Sequence, residues 1–111
     1  MKIWVDDIRP APEGYKWFDT VNKIKNFIIF AEESDRIMKE KGIFLMDTTI
    51  ELIDLDHDAG NYAADGGDYI KILDWLEETG RRYPIRLHSA NPVGVEKMRR
   101  IIERNGWTEV K

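Results

Sequence analysis

The stretch IELIDLDHDAG, at residues 50–60, decides the fold class of this 111-residue chain. Its first half is rich in isoleucine and leucine, as in a strand inside a sheet, and its acidic end is typical of a turn. Similar runs occur at residues 2–6 (KIWVD) and 85–89 (IRLHS). Segments with apolar residues at helical spacing lie between these runs. Strands that alternate with helices in this way predict an α/β domain with a parallel sheet.

The first helix is predicted by apolar residues at positions 21, 24, 27, 28 and 31, which fall on one face. Thr20 stands just before this pattern and is a suitable N-cap, because its hydroxyl can accept a hydrogen bond from the first turn. Ser34 has the same chemistry and predicts the start of a second, short helical segment. Gly42 ends that segment, since glycine readily adopts the left-handed conformation that closes helices.

Two more helices follow, and both have start and stop signals. Asp68 is expected to cap a helix that ends at Gly80. The pair Asn91-Pro92 predicts the start of the last helix, because proline in the first position lacks only an amide hydrogen that would be unbonded there. Gly106 is expected to end it.

The remaining segments are assigned as strands and loops. Residues 9–14 (RPAPEG) contain two prolines and a glycine, which exclude a helix. Residues 15–18 predict a short edge strand, and residues 107–110 predict the last strand. Residues 59–67 are a glycine-containing loop. Residues 43–46 (IFLM) fit either a short extra strand or part of an insertion.

Composition limits the classes of function. Charged residues make up 34% of the chain and hydrophobic residues 42%, as in a globular protein, and the length fits a single domain over residues 1–111. The absence of cysteine excludes disulfides and thiolate metal sites. A net charge of −4 argues against a broad nucleic-acid surface but not against a local phosphate site. No segment resembles a signal peptide or a membrane helix, so we expect a cytoplasmic location and no membrane partner.

Polar residues follow three of the predicted strands at the point where each strand ends. They are Asp6, Asp7 and Arg9; Asp56, His57 and Asp58; and His88, Ser89 and Asn91. In parallel sheets ligands bind at the carboxyl ends of the strands, so these side chains are expected to share one crevice. Crowded carboxylates repel each other unless a cation neutralises them, and oxygen ligands suit Mg²⁺. The helix that starts at Asn91 offers free amides to an anion, and Gly94 in its first turn allows close approach.

Each of these residues also has a simpler structural interpretation. Acids after strands often form turns, and a single histidine is more often hydrogen-bonded within the protein than catalytic. Asn91 is most economically a helix cap, and the four tryptophans are expected to pack in the core or at an edge. Asp54 stands inside a strand that should be buried, so we expect it to have a partner or to be partly exposed. The convergence of so many polar groups favours a phosphate-chemistry site over these separate interpretations.

The pattern resembles the receiver domains of response regulators. In receivers, the residues that correspond to Asp6 and Asp7 form an acidic metal pair, the one that corresponds to Asp56 accepts a phosphoryl group, and the one that corresponds to Ser89 is a switch hydroxyl. The resemblance implies a flavodoxin-like, doubly wound parallel sheet in which a loop at residues 9–14 replaces the first receiver helix. The Lys-Pro pair that receivers carry before their last helix is absent.

A closer resemblance is to a divergent branch, the cyclic-phosphate-processing receiver-like domains. It is carried by three stretches in the right order, at residues 6–10 (DDIRP), 55–60 (LDHDAG) and 88–94 (HSANPVG). This resemblance implies a role with cyclic phosphates in nucleotide signalling, RNA processing, or prokaryotic and phage conflict systems. The partner is then a small phosphate-containing ligand or an RNA end.

The leading hypothesis is a metal-dependent phosphoesterase that opens a nucleotide or RNA 2′,3′-cyclic phosphate. Asp7 and Asp56 would hold Mg²⁺ or Mn²⁺, with Asp6 in the inner or outer shell. His57 and His88, with Asp58 beside them, would serve as general base and acid. The phosphate would be oriented by Arg9, Ser89, Asn91 and Gly94.

Three alternatives remain at this point. The domain could be a non-catalytic signalling or nucleotide-binding module, with Asp56 as phosphoacceptor or as part of a ligand site. Residues 53–56 (IDLD) loosely fit the motif that begins haloacid-dehalogenase phosphatases, although those proteins need it on an early strand. A small protein that acts only by contact with a partner also fits the sequence.

Overall fold

The computed structural model describes residues 1–111 and contains one four-stranded parallel sheet. Its strands are β1 (Lys2–Val5), β2 (Tyr15–Phe18), β3 (Leu52–Leu55) and β4 (Ile85–Leu87), in the order β2-β1-β3-β4. The helices are α1 (Val21–Lys41), α2 (Ile70–Thr79) and α3 (Pro92–Asn105), with a short 3-10 helix at Gly60–Ala64. The predicted receiver-like α/β fold is confirmed, and the segment that joins β1 to β2 is a loop, as predicted.

One face of the sheet forms the core with all three helices. Alternate strand residues point to this face, and Ile3, Val5, Ile53, Leu55 and Ile85 are fully buried there. They pack in one apolar cluster with helix residues, among them Ile24, Ile28, Leu73, Leu76, Met98 and Ile102. Complete burial of one such side chain contributes about 1.5–3 kcal/mol. This face therefore supplies most of the hydrophobic stabilisation.

No helix packs on the opposite face of the sheet, where large and charged side chains of the strands pack on one another. Because a loop joins β1 to β2, the chain provides no crossover helix there. Trp4 and Asp54 are register partners on this face, and both are buried. The Trp4 indole also donates a hydrogen bond to the carbonyl oxygen of Arg9, 2.9 Å away, so the loop folds back onto the sheet.

Helix α1 is continuous, so the prediction of a separate segment starting at Ser34 is wrong. Ala31 and Met38, two turns apart on one face, are both buried, and this packing carries the helix past the serine. The two ends are as predicted. The Thr20 side chain accepts from the Lys23 amide at 3.1 Å, and Gly42 closes the helix with φ of 65°.

The predicted cap of α2 is also wrong. The Asp68 carboxylate accepts instead from the amide of Ala59, at 3.0 Å, and so fixes the loop that follows β3. Tyr69 occupies the cap position without a side-chain hydrogen bond. An aspartate side chain can accept either from an amide of the following helix or from a loop amide, and here Asp68 binds the loop amide.

Two segments considered as strands form little regular structure. Residues 43–46 form no strand and are exposed. The predicted last strand is reduced to a single parallel bridge between Glu109 and Ile85, beside β4. None of the helices combines the length and the apolar character needed to cross a membrane.

Candidate functional site

Three carboxylates meet at the carboxyl ends of the two central strands. Asp6 and Asp7 follow β1, Asp56 follows β3, and these strands are parallel neighbours. Each residue offers a ligand atom, and these atoms lie within 4.8 Å of one another. The adjacency of β1 and β3 therefore produces an acidic cluster from residues about fifty positions apart in sequence.

Asp6 is the most constrained of the three acids. One of its oxygens accepts from the amides of Ile8 and Arg9, at 2.9 and 2.8 Å, and the other lies 2.9 Å from Nε2 of His88. Burial by itself would raise the pKa of Asp6, but these hydrogen bonds outweigh it and hold the pKa below its ordinary value. Both oxygens are thus already engaged, which fits an outer-shell position beside a metal.

Asp7 has the opposite electrostatics. Burial raises the pKa of Asp7, and the negative charges of Asp6 and Asp56 raise it further. Gly60, in the left-handed conformation with φ of 55°, packs so closely that a Cβ there would overlap the Asp7 carboxylate. An acid crowded against other acids is relieved by a cation, so this all-oxygen donor set fits Mg²⁺ or Mn²⁺.

His88 lies between two buried carboxylates. Its Nδ1 is 2.7 Å from Asp54 and its Nε2 is 2.9 Å from Asp6. The expected partner of Asp54 is therefore found, and Arg86 provides a second one through Nη1 at 2.9 Å. Both imidazole contacts are hydrogen bonds when each nitrogen carries a proton. With both ring nitrogens engaged inside the protein, His88 has no hydrogen-bonding atom left for a substrate.

His57 is held against the start of α3. Its Nδ1 lies 2.8 Å from a carboxylate oxygen of Asp58, and the amide group of Asn91 approaches the same carboxylate at 3.4 Å. A Cβ at Gly94 would lie only 2.5 to 2.8 Å from atoms of the His57 ring. The absence of a side chain at Gly94 therefore makes room for the imidazole. The Asn91 side chain accepts from the Gly94 amide at 3.0 Å and caps the helix, so this amide is not free for a phosphate as the sequence predicted.

A cleft of about 310 Å³ opens at this edge of the sheet. It is lined by Asp7, Ile8, Arg9, Asp56, Asp58, Ser89, Ala90 and Asn91. Six of the ten predicted site residues are in this lining. The other four, Asp6, His57, His88 and Gly94, support the lining from behind. The lining therefore combines three acids with groups that can bind phosphate, among them the half-exposed Arg9.

Sequence reasoning missed two supporting residues of the site. Trp4 stacks on the His88 ring, and Gly60 packs against Asp7. Trp4 gave no signal beyond its apolar position in a strand. Gly60 directly follows the acidic stretch of residues 56–58, and a glycine next to an acidic turn indicates a close backbone approach.

Comparison with known proteins supports these observations from the sequence side. No curated protein and no solved structure is significantly similar to the chain. A family model, described as the cyclic-phosphate processing receiver domain, matches residues 1–104. The match includes all four strands, all three acids of the cluster and nearly all of α3. The chain therefore belongs to the cyclic-phosphate processing receiver domain family.

Proposed function

We propose that this domain hydrolyses a cyclic phosphate ester, on a nucleotide or at an RNA 2′,3′ end, in the cleft at the carboxyl edge of the sheet. The observation that carries the proposal is the composition of the cleft. Asp7, Asp56 and Asp58 line it together with the guanidinium of Arg9, the hydroxyl of Ser89 and the amide of Asn91, around a space of about 310 Å³. Family membership agrees with a cyclic phosphate as the ligand.

Mg²⁺ or Mn²⁺ would be held by Asp7 and Asp56, with Asp6 behind them. When bound, such an ion neutralises negative charge on phosphoryl oxygens. Asp6 is buried and hydrogen-bonded on both oxygens, so it keeps the end of β1 in place and adds charge near the ion. Asp56 is fixed in turn by the amide of His57, which donates to it at 2.8 Å.

Arg9, Ser89 and Asn91 would bind the phosphate. Arg9 is the only cationic residue in the lining, and its side chain is 51% exposed. A contact of 3.4 Å between its Nε and Asp6 orients the guanidinium without covering it. The Ser89 hydroxyl accepts from the Asn91 amide at 3.1 Å, which leaves its own hydrogen to donate to a phosphoryl oxygen.

Asp58 is the residue best placed to act as general base. Ring opening requires a water that loses a proton to a base as it forms the new P–O bond, while the ring P–O bond breaks and the leaving oxygen takes a proton from solvent water. Asp58 lines the cleft, and His57 Nδ1 holds its carboxylate at 2.8 Å. The geometry therefore changes the expected roles. His57 positions Asp58, and His88 positions Asp6, because neither imidazole lines the cleft.

A binding module without turnover is the second candidate. The observation that favours it is the position of the histidines, since both stand behind the cleft instead of in it. In this case the cleft would bind a cyclic phosphate as a signal. Asp56 would serve as a ligand to the ion.

The two functions are separated by incubating the purified protein and Mg²⁺ or Mn²⁺ with 2′,3′-cyclic nucleotides at pH 5–9, with product detected by ³¹P NMR. The hydrolase opens the ring, and Asp58→Asn lowers kcat by about 10²–10⁴-fold with KM little changed. Asp74→Asn, at a partly exposed position on α2 outside both the acidic cluster and the cleft, is the matched control and keeps the parent kcat. Binding without product at any pH would establish the module, and neither binding nor product would exclude both functions.

A further inference from the structure

A second cleft, of about 240 Å³, lies on the other side of Asp7. It is lined by Asp7, Trp17, Phe18, Asp19, Lys23 and Tyr62. The first cleft lies over the ends of β1, β3 and β4, whereas this one lies over the ends of β2 and β1 and the start of α1. Asp7 belongs to both linings, so the two clefts are adjacent parts of one edge.

Two aromatic residues of this second cleft, Trp17 and Tyr62, are exposed. The Trp17 indole is fixed by a hydrogen bond of 2.8 Å from its Nε1 to the carbonyl oxygen of Asp6, yet the residue is 45% exposed. Trp17 is thus more than the edge-packing residue predicted from the sequence. Tyr62, on the 3-10 helix after β3, is 41% exposed. Aromatic rings that face solvent, one of them fixed by a hydrogen bond, can stack on a planar ring.

Polar groups border this aromatic surface. Asp19 and Lys23 form an ion pair of 2.9 Å, which presents a carboxylate acceptor and an ammonium donor side by side. Sites for small planar ligands are lined mostly by apolar and aromatic groups and contain a few polar groups that fix the orientation. The edges of nucleobases carry both hydrogen-bond donors and acceptors, so this lining matches their chemistry.

We infer that the second cleft binds the nucleobase of the substrate while the cyclic phosphate occupies the first cleft. The inference rests on the proposed function and adds to it a separate subsite that recognises the base. The geometric reason is that the two clefts share Asp7 in their linings and so adjoin each other. One ligand that spans both would carry its sugar past Asp7, between the base and the phosphate.

The test compares two probes, adenosine 2′,3′-cyclic phosphate and the base-free methyl riboside 2′,3′-cyclic phosphate. Affinities are measured by calorimetry with Mg²⁺ in the Asp58→Asn variant, so that binding is observed without turnover. The nucleoside probe is expected to bind about tenfold or more tightly than the base-free probe, the range for one stacked base. It should also change the fluorescence of Trp17, and this signal should be absent in the Trp17→Phe variant.

Variants at Tyr62 test whether the nucleobase of the probe lies on this ring. Tyr62→Ala is expected to bring the affinity ratio of the two probes close to one, and Tyr62→Phe, which keeps the ring, should restore it. Phe44→Ala removes an aromatic side chain that is 78% exposed and outside both clefts, and it should keep the parent ratio.

Two results would overturn the inference alone. They are equal affinity of the parent for both probes, and an affinity ratio that Tyr62→Ala leaves unchanged together with Trp17 fluorescence that the nucleoside probe leaves unchanged. In both cases the phosphate still binds, so the proposed function stands. Failure of both probes to bind would remove the proposed function and the inference together.

Discussion

The imidazole of His88 lies face to face on the indole of Trp4, with 3.7 Å between the ring centroids and 3° between the ring planes. The stack keeps the two nitrogens of His88 directed at Asp54 and Asp6, on β3 and at the end of β1. Since His88 itself follows β4, one side chain links the ends of three strands. The acidic edge of the sheet is thus held in place from the face that no helix covers.

Replacement of His88 by leucine is expected to lower the free energy of unfolding by about 3–5 kcal/mol, because two buried carboxylates lose a shared partner. Urea denaturation measures the loss. His57→Leu is the matched control and should cost about 1 kcal/mol or less, since its partner Asp58 is largely exposed. Equal losses for the two variants would contradict a crosslinking role for His88.

The stability of the metal-free domain is expected to depend on the ionisation of Asp7. The pKa of Asp7 is raised in the folded state above its ordinary value of 3.8, so the folded protein binds more protons between these two values. The contribution of Asp7 to the free energy of unfolding therefore falls as pH rises from 3.8 through the folded-state pKa. At neutral pH the ionised Asp7 still destabilises the metal-free fold. Asp7→Asn should be more stable than the parent at pH 7 in EDTA, and the difference should vanish as pH falls to about 3.8. Thermal unfolding from pH 3.5 to 8 tests this, and a difference that grows on acidification would refute it.

A bound divalent metal ion is expected to reverse the destabilisation that repulsion among the three acids causes. Mg²⁺ or Mn²⁺ at 100 times its Kd should stabilise the parent by about 2.7 kcal/mol and raise its Tm. Asp56→Asn should lose most of this gain, while its metal-free form should be more stable than the metal-free parent, because one repelling charge is gone. Asp74→Asn should keep the parent response to metal. Identical melting curves with and without metal, for parent and variant alike, would exclude the site.

The fit between Gly94 and His57 can be tested by a double-mutant cycle. Alanine is a better helix former than glycine by about 1 kcal/mol, but its Cβ at position 94 would clash with the His57 ring. Gly94→Ala is therefore expected to destabilise the parent and to displace His57 from Asp58. In the His57→Ala background, where the ring is gone, the same change should be neutral or stabilising. Additive effects on the free energy of unfolding would show that the two residues are not coupled.

The sequence determined the features that depend on local chemistry. Thr20 and Asn91 cap helices, and Gly80 and Gly106 end them, because these residues satisfy or release backbone groups within a few positions. The order of strands and helices predicted the parallel sheet. That order also predicted the meeting of Asp7 and Asp56, since carboxyl ends of neighbouring parallel strands share one edge.

Only the tertiary structure decided which atoms line the cleft. The sequence placed both histidines at strand ends but could not show that Asp54 and Asp6 occupy both nitrogens of His88, because that depends on strand register. Local signals also failed where a distant contact was stronger. Helix α1 continues through Ser34 because its face is buried, and Asp68 binds the Ala59 amide instead of capping α2. The second cleft likewise depends on β2 lying beside β1, which leaves the Trp17 ring exposed next to Asp7.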